Sequence, residues 1–530
     1  MSLLMTTCLV MGEENERWGR GEENERWGRG GGGGGVNQSG IPAGVNCVEV
    51  EWCDTPRGTL LCSTVCQAGS VEIAAWHSGA ISLQTQLARR QDLCHAVLQG
   101  SHNSAITLAN GYGNGDALYS RLLRQVLPPY APRWMAWRTN NQWLALTDQL
   151  RLGVRSLELD VHWAGGELRI AHCGGVDLEK VDGLLGELNG LLEKEGLPPV
   201  DWDTETLGCD PSFSAIPARL QRSFASALQE VAAWMVLPAN AAEFVLLMLD
   251  CQEDLLAWDK VPLLEQQLQQ YLGAAVGLVT PALIEGLGVW PPLELLVAKG
   301  ARALVAVDCP IASNASNATF FLRSDVCGWT EPDPSGWAFF PECAHGQLLA
   351  NAGRLIRIET DAIQYGPLNS GGGFGPSYDL NASLVADFTG CNVNMPAPDY
   401  YTPEYSLASI WTWAPDQPSS ASSNASCVLL DATLSGRWIS LPTCDLLPLA
   451  CAIYSPSSSA PPSSVARSST LGSSAPPPSW IISNSSSCPS GSHFDLPTSA
   501  YDNNVLLSTL LSSGVSQVRI NYQAYFGSVF

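Results

Sequence analysis

Residues 154–172 read VRSLELDVHWAGGELRIAH, and this stretch decides both the fold and the candidate chemistry. Its first half is an apolar run rich in strand-forming residues, interrupted at alternate positions by Glu158, Asp160 and His162. Side chains two residues apart on a strand share a face, so both carboxylates point the same way. Two buried like charges are costly unless a positive charge lies between them. Paired carboxylates suit hard divalent cations such as Ca²⁺ or Mg²⁺, so the stretch predicts a metal site.

Two further histidines follow short apolar strands on either side of the paired carboxylates. A second strand, predicted at 168–171, ends just before His172. Upstream, the strand-like run 96–100 is followed closely by His102 and Asn103. Each of these residues alone is also typical of a solvated sheet face or an ordinary core. Because parallel α/β folds carry their chemistry at the carboxyl ends of strands, the shared position favours a functional site.

Short apolar strands alternate with amphipathic helices between residues 95 and 402. The strands are predicted at 95–100, 154–162, 168–171, 244–249, 303–307, 355–358 and 391–395. The helices are predicted at 143–152, 178–192, 217–235, 263–272 and 291–299. This alternation predicts a parallel sheet, either in an α/β barrel or in a doubly wound fold.

Four segments resemble the catalytic X region of phosphatidylinositol-specific phospholipase C. They read GSHNS at 100–104, QLRLGVRSLELD at 149–160, LRIAHC at 168–173 and FVLLMLD at 244–250. Members of that family are phosphodiesterases built on a distorted TIM barrel. The resemblance therefore implies an α/β, TIM-type barrel over about residues 95–402.

The resemblance also implies a metal site. By position, the ligands of the calcium-dependent branch of the family would be Asn103, Glu158, Asp160 and Asp250. Glu253 is a near alternative to Asp250, because most eukaryotic members have Glu at that point. The implied cofactor is Ca²⁺, with Mg²⁺ as the alternative.

The same resemblance assigns the catalytic and substrate-binding residues. His102 would act on the phosphoryl group and the attacking hydroxyl, and His172 on the leaving group. Arg357 and Tyr365 would line the head-group pocket. The implied reaction is cleavage of a phospholipid or another small phosphodiester, with the two histidines as general acid and base.

Two other functions remain open from the sequence. Glycerophosphodiester phosphodiesterases and sphingomyelinase-D-like enzymes share the fold and pair two histidines with Glu-x-Asp, usually with magnesium. Asn103 favours the phospholipase C type, whereas Asp250 in place of Glu slightly favours these rivals. A rival of another class is a secreted, catalytically inactive binding protein.

The charge of the chain limits its partners. The net charge is −24, from 27 basic and 51 acidic residues. This acidic balance argues against nucleic acid and against electrostatic attachment to anionic membranes, so we expect only peripheral membrane contact. The sequence contains no run of about twenty apolar residues, so no membrane-spanning helix is predicted. We expect a monomer.

Cysteine usage and glycosylation motifs indicate the secretory route. The chain has 17 cysteines, and their spacings do not repeat as those of zinc sites do. Disulfides in an oxidising compartment explain them better. Six Asn-x-Ser/Thr motifs, at Asn37, Asn314, Asn317, Asn381, Asn424 and Asn484, predict a glycoprotein. No signal peptide is recognisable at residues 1–11.

Five regions are predicted beside the barrel. Residues 1–44 contain GEENERWGR twice and a polyglycine run, and we expect them to be disordered. Residues 45–94 form a cysteine-rich lead-in with a helix at 81–94. Residues 454–487 are a Ser/Pro linker, and 488–530 a partial C-terminal β module.

The fifth region, residues 403–453, resembles the C-terminal half of a C-type-lectin-like module. The resemblance lies in WTWAPDQP at 411–418, in GRW at 436–438 and in Cys427, Cys444 and Cys451. The calcium-binding Trp-Asn-Asp of that family is replaced by Trp-Ile-Ser at 438–440, which argues against carbohydrate binding by that route. We therefore predict a small disulfide-bonded β module here.

Overall fold

The computed structural model of the chain describes most of residues 36–526. The described ranges are 36–54, 61–114, 116, 140–172, 178–196, 221–251, 255–256, 258–308, 319–360, 380–418, 427–444, 446–454 and 478–526. All of them belong to one unit, Val36–Phe530.

The lead-in forms a small sheet followed by a helix. Its strands are β1 (Val36–Ser39), β2 (Glu49–Asp54) and β3 (Leu61–Cys66), in the order β1-β3-β2, and its helix is α1 (Ala75–Arg89). Disulfides join Cys47 to Cys66 and Cys53 to Cys62 across this sheet. β1 lies inside the stretch 1–44 for which the sequence predicts disorder. The helix begins six residues before the predicted start at Ile81 and ends at Arg89, before Cys94.

The central sheet is mainly parallel, as the alternation of strands and helices predicts. Its seven strands are β4 (Gly100–Ser101), β5 (Ser156–Ala164), β6 (Glu167–Ile170), β7 (Val245–Cys251), β8 (Leu278–Val279), β9 (Ala303–Asp308) and β10 (Phe321–Leu322). Strands β4, β5, β7, β9 and β10 lie side by side in chain order, all parallel. β6 pairs antiparallel with β5, and β8 pairs parallel with β9. A doubly wound sheet reverses its strand order, and no reversal occurs among the described strands of this path.

The helices between these strands pack against both faces of the sheet. They are α2 (Leu146–Arg151), α3 (Leu178–Lys194), α4 (Phe224–Met235), α5 (Val261–Leu268), α6 (Ala274–Val276), α7 (Pro281–Leu287) and α8 (Leu293–Ala298). Helices α4 and α5 share the core of Leu247 and Leu249, whereas α8 shares the core of Leu246 and Met248. Within the described residues the helix predicted at 217–235 starts at Phe224, where the side chain of Ser223 accepts a hydrogen bond from the Ser226 N–H. The helix predicted at 291–299 begins two residues late, after Pro292.

The alternation of side chains along the strands gives the sheet two different faces. On one face Leu157, Leu159 and Val161 of β5 pack in the same core as α4. On the other face each central strand is uncharged near its start and acidic near its end. β5 carries Glu158 and Asp160 there, and β7 ends in Asp250. The strand period of two therefore places the carboxylates on the face opposite α4.

A closed barrel is not seen among the described residues. β13 (Arg357–Glu359) and β14 (Met395–Ala397) form a separate parallel pair, and β11 (Ala344–His345) and β12 (Leu348–Leu349) a small hairpin. The β14 segment approaches β4, because the Leu98 N–H donates to Asn394 O at 2.7 Å. At the other edge, one parallel bridge joins Thr330 to Ile356. The parallel α/β sheet is thus confirmed, whereas ring closure is not shown.

The C-terminal region is a six-stranded sheet assembled from two separated segments. Its strands are β15 (Cys427–Asp431), β16 (Arg437–Leu441), β17 (Leu449–Ile453), β18 (Ser479–Ser483), β19 (His493–Phe494) and β20 (Gln517–Ile520). Its helices are α9 (Ala382–Gly390), α10 (Pro403–Ser409), α11 (Ala500–Ser513) and α12 (Tyr522–Phe526), of which α9 and α10 precede the sheet. Leu83 and Leu87 of α1 share its core with Trp438. The predicted modules 403–453 and 488–530 therefore fold together, and the lectin-like interpretation stays a prediction.

Disulfides are formed as the cysteine count predicts. Besides the two in the lead-in, four bridges join Cys94 to Cys327, Cys343 to Cys391, Cys427 to Cys444 and Cys451 to Cys488. Within the described part of the chain, no helix is both long enough and apolar enough to span a bilayer.

Candidate active site

Three neighbouring strands carry carboxylates at the same level of the sheet. Asp160 of β5 lies opposite Asp250 of β7, and Asp250 lies opposite Asp308 of β9. Glu158, Asp160 and Asp250 each offer a carboxylate oxygen within 4.8 Å of the others. The carboxyl edge of the sheet therefore has the ligand set of a site for a hard divalent cation.

Asn103 reaches the same cluster from the end of β4. Its backbone has a positive φ of 44°, which is uncommon for a residue other than glycine, and its N–H donates to Glu158 Oε2 at 3.0 Å. Its side-chain amide lies beside the Asp160 carboxylate. In the orientation that satisfies both groups, the amide nitrogen donates at 2.6 Å to Asp160 Oδ1 and at 2.9 Å to Oδ2.

His102 is held by a buried carboxylate that lies far from it in the sequence. Its Nδ1 lies 2.9 Å from Oδ1 of Asp399, which follows β14 and is 1% exposed. Its Nε2 lies 3.9 Å from Glu158 Oε2. Burial alone would lower the pKa of His102, but Asp399 and Glu158 raise it well above its usual range. Asn141 adds a second hydrogen bond to Asp399, from Nδ2 to Oδ1 at 3.1 Å.

His172 lies at the carboxyl edge just beyond β6. Its pKa is lowered by burial and, to a smaller extent, by the positive charge of His102. The charges of Glu158, Asp399 and Glu359 raise the pKa of the same ring. His172 is therefore close enough to these carboxylates to interact with them electrostatically. Its Nδ1 is buried and has no hydrogen-bond partner among the described residues.

Arg357 brings a fixed positive charge to the cluster. It is 2% exposed, pairs with Glu158 and Glu359, and lies 3.2 Å through Nη1 from Glu331 Oε1. Burial would lower its pKa, but these three carboxylates raise it above the usual range. The donors of Arg357 are thus engaged mainly by site carboxylates.

The acidic side chains share an excess of negative charge. Burial raises the pKa of Asp160 well above its usual range, and Asp250 and Glu158 raise it further. Burial likewise raises the pKa of Asp250 to about 7, with contributions from Glu158 and Asp308. Carboxyl groups whose ionisation is opposed in this way favour the arrival of a cation.

The structure brings together the predicted site residues that it describes. They are His102, Asn103, Glu158, Asp160, His172, Asp250 and Arg357. Tyr365 and Glu253 lie outside the described residues. His162 shares the face of Glu158 and Asp160, but its Nε2 lies 2.5 Å from Gln221 Oε1.

Three acidic residues of this edge are absent from the sequence-based site. Asp308 follows a predicted strand just as Asp250 does, so the same pattern could have identified it. Glu359 lies two residues after Arg357, on the same face of β13. Its spacing from Arg357 is visible in the sequence and could have identified it. Asp399 comes near His102 only through the β4–β14 contact, and no local pattern indicates it.

Comparisons with known proteins give distant similarities. No family model matches the chain. Two uncharacterized proteins of Mycobacterium tuberculosis, from two strains, are each 28% identical over 330 residues, and the match spans 59% of this chain and 59% of each relative. Among solved structures, phosphatidylinositol-specific phospholipase C from Listeria monocytogenes aligns with a TM-score of 0.34 and 13% identity, over 62% of this chain and 97% of that one. A mutant of the enzyme from Staphylococcus aureus aligns with a TM-score of 0.32 and 12% identity, over 62% of this chain and 95% of the other.

Proposed function

We propose that this protein is a metal-assisted phosphoric diester hydrolase of the phospholipase C type. One observation carries the proposal. Two histidines, three clustered carboxylates and the Asn103 amide meet at the carboxyl edge of a parallel sheet, where such folds carry their chemistry. The substrate would be a phospholipid or a related phosphodiester.

The donor set fits a hard divalent cation, which we propose to be Ca²⁺, with Mg²⁺ as the alternative. The ligands would be Asn103, Glu158, Asp160 and Asp250, all through oxygen. The Asn103 amide is compatible with this choice, because Ca²⁺ takes amide oxygens as ligands beside carboxylates. When bound, the ion would lower the pKa of the attacking hydroxyl and neutralise charge on the phosphoryl oxygens. Arg357 holds Glu158 in place for this purpose, and contact of Arg357 and Tyr365 with the head group remains a prediction.

The two histidines would move the proton. The oxygen of an internal hydroxyl bonds to phosphorus while the bond from phosphorus to the leaving oxygen breaks. His102 takes the hydroxyl proton, and its pairing with Asp399 makes it a stronger base. His172 gives a proton to the leaving alkoxide, and its lowered pKa makes the protonated ring a stronger acid.

Hydrolysis assays with three substrate classes test this proposal. Phosphatidylinositol, glycerophosphodiesters and sphingomyelin would be offered with calcium, with magnesium or with a chelator. We expect metal-dependent turnover that falls by about a hundredfold or more in His102→Ala and in His172→Ala. His493→Ala, at an exposed position on β19, is the matched control and should keep full activity. Turnover that needs no metal and survives both site substitutions would exclude this site.

The products decide between the phospholipase C type and its rivals on the same fold. A cyclic phosphate or a phosphorylated head group indicates attack by an internal hydroxyl. A free alcohol with a phosphomonoester lipid indicates the sphingomyelinase-D-like alternative, which Asp250 in place of Glu favours. Absence of turnover on all substrates would leave the catalytically inactive binding protein.

We further propose that the sheet closes into a TIM-type barrel around this site. Two backbone bonds support closure on one side, from Leu98 to Asn394 at 2.7 Å and from His102 to Pro398 at 3.3 Å. Secretion is also a proposal, which the disulfides support. Among the described glycosylation motifs, Asn381 and Asn484 are exposed and open to modification.

A further inference from the structure

The two candidate catalytic histidines are held in different ways. His102 is fixed through its ring, because Nδ1 lies 2.9 Å from Asp399 Oδ1. The buried Nδ1 of His172 has no hydrogen-bond partner among the described residues. The position of the His172 ring therefore depends on the main chain that bears it, which comes from β6 and its last residue, Ile170. A contact that fixes the end of β6 thus sets where His172 meets the leaving group.

One buried phenol fixes the end of β6. Tyr112 is fully buried, and its hydroxyl donates to Ile170 O at 2.5 Å and accepts from the Arg222 N–H at 2.9 Å. The Ile170 N–H donates in turn to Arg222 O at 2.9 Å. Burial raises the pKa of Tyr112 above its usual range, so the phenol stays protonated and remains a donor. The hydroxyl thus joins β6, two residues before His172, to the chain that leads into α4.

Tyr112 is held in turn by the lead-in, through the small disulfide-bonded sheet of β1, β2 and β3. The ring of Trp52 on β2 lies against Gly111 so closely that a Cβ added there would overlap it. Gly111 has a φ of 92°, which also favours glycine at this position. Ser63 of β3 donates from Oγ to Asn114 Oδ1. The lead-in, which supplies no residue to the candidate site, therefore contacts the chain on both sides of Tyr112.

We propose that Tyr112 is a positioning residue for His172, and that the lead-in holds Tyr112 in this role. The inference rests on the proposed function and deepens it. Without the phenol oxygen, Ile170 O and the Arg222 N–H lose this partner, so the end of β6 gains freedom to move. A displacement of about 1 Å in a catalytic group can cost about a hundredfold in rate, because the proton must be delivered to the leaving oxygen. Tyr112 acts on the reaction only through His172.

Tyr112→Phe tests the positioning role in the full chain. On a diester that the wild type cleaves, we expect kcat to fall by about ten- to a hundredfold with KM little changed. Burial is the main cause that lowers the pKa of His172, so a displaced ring should titrate at higher pH. The limb on which activity falls with rising pH should therefore move to higher pH, because a general acid must be protonated. A merely structural role would lower stability without moving this limb.

Nuclear magnetic resonance of the histidine rings tests the same role without turnover. The signal of His172, assigned with His172→Ala, should change in position and in titration in Tyr112→Phe. The matched control is Tyr401→Phe, because Tyr401 is also fully buried and its hydroxyl also donates to a main-chain oxygen, Leu152 O, at 3.4 Å. This control should leave the His172 signal and the pH profile unchanged. An unchanged His172 signal in Tyr112→Phe, or equal changes in both variants, overturns the positioning role.

Trp52→Ala tests the part played by the lead-in. It should change the His172 signal in the same direction as Tyr112→Phe but by less, because Tyr112 keeps its hydroxyl. Val50→Ala on the same strand is the control, since Val50 is 38% exposed, and it should change nothing. A silent Trp52→Ala would overturn the role of the lead-in alone. If the wild type cleaves no diester while Tyr112→Phe still displaces His172, the proposed function fails and the positioning of His172 by Tyr112 stands.

Discussion

Asp399 and His102 are the pair of residues on which the candidate chemistry depends most directly. Asp399→Asn keeps the size of the side chain but removes the charge that raises the pKa of His102. We expect kcat to fall by about a hundredfold or more with KM little changed, because a correctly held general base contributes on that scale. The pH profile should change as well. With the carboxylate gone the pKa of His102 falls, so the limb of the profile that His102 governs should move to lower pH.

The control for this substitution is Asp325→Asn, the same change at an exposed position on the carboxyl side of β10. It should leave both kcat and the pH profile unchanged. A merely structural role for Asp399 would lower thermal stability and activity together without moving the pH profile. That result would contradict the pairing as a source of catalysis.

The sequence predicts some of the site residues because their signals are local. Glu158 and Asp160 stand two apart in an apolar run, and Asp250 closes another such run. These relations follow from the strand period alone. Asp399 differs, because its distance of 297 residues from His102 is bridged only by the folded chain.

At the scale of elements, the close approach of β4 to β14 sets the position of His102. An added Cβ on Gly100 would lie 3.1 Å from Ala397 Cβ and 3.3 Å from Pro396 O. Gly100→Val should therefore push the two strands apart and separate His102 from Asp399. We expect a loss of about 1–3 kcal/mol in the free energy of unfolding, and lower kcat even at temperatures where the protein is folded. Urea unfolding and steady-state assays measure the two effects.

Gly186→Ala is the control for this prediction. Gly186 lies in α3, and an added Cβ there would meet nothing within 4 Å. Alanine is the better helix former by up to about 1 kcal/mol, so this variant should be as stable as the wild type or more stable. If Gly100→Val proved equally harmless, the close contact between β4 and β14 would not constrain the site.

The sequence predicts the existence of elements better than their limits. β5 and β7 begin within two residues of the predicted starts at 154 and 244, because long apolar runs between polar connections define them. The strand predicted at 95–100 pairs only as Gly100–Ser101, because its earlier part bonds instead to the β14 segment. Such pairing depends on which distant segment lies beside the strand in the folded chain. For the same reason, the alternation of strands and helices predicts a parallel sheet but does not predict whether the sheet closes into a barrel.

At the scale of the whole molecule, one buried histidine joins the lead-in to the C-terminal region. His77 of α1 is 4% exposed, and its Nε2 lies 2.8 Å from Ser406 Oγ on α10. Ser406 Oγ donates in turn to Leu152 O at 2.6 Å, so His77 Nε2 carries the proton and donates. The helix that bears His77 also lends Leu83 and Leu87 to the C-terminal core. Loss of this contact would therefore weaken the packing of both regions.

This histidine should make the protein less stable in mild acid. Burial lowers the pKa of His77 to about 4, whereas the unfolded chain has a histidine pKa of about 6.5. Between these values the unfolded state binds more protons, so the free energy of unfolding falls as the pH falls from about 6.5 to about 4. Linkage sets about 3 kcal/mol as an upper bound for one such group. Above about pH 6.5 the ring is neutral in both states and its full contribution is present.

His77→Gln tests this origin, because glutamine is neutral in both states and its Nε2 can still donate to Ser406 Oγ. Urea unfolding at about pH 4.5 and about pH 7.5 should show a smaller difference in the variant than in the wild type. His493→Gln removes an exposed histidine and should leave the wild-type difference unchanged. If His77→Gln lowered stability equally at both pH values, the hydrogen bond alone would matter. The acid sensitivity of the fold would then arise from another group.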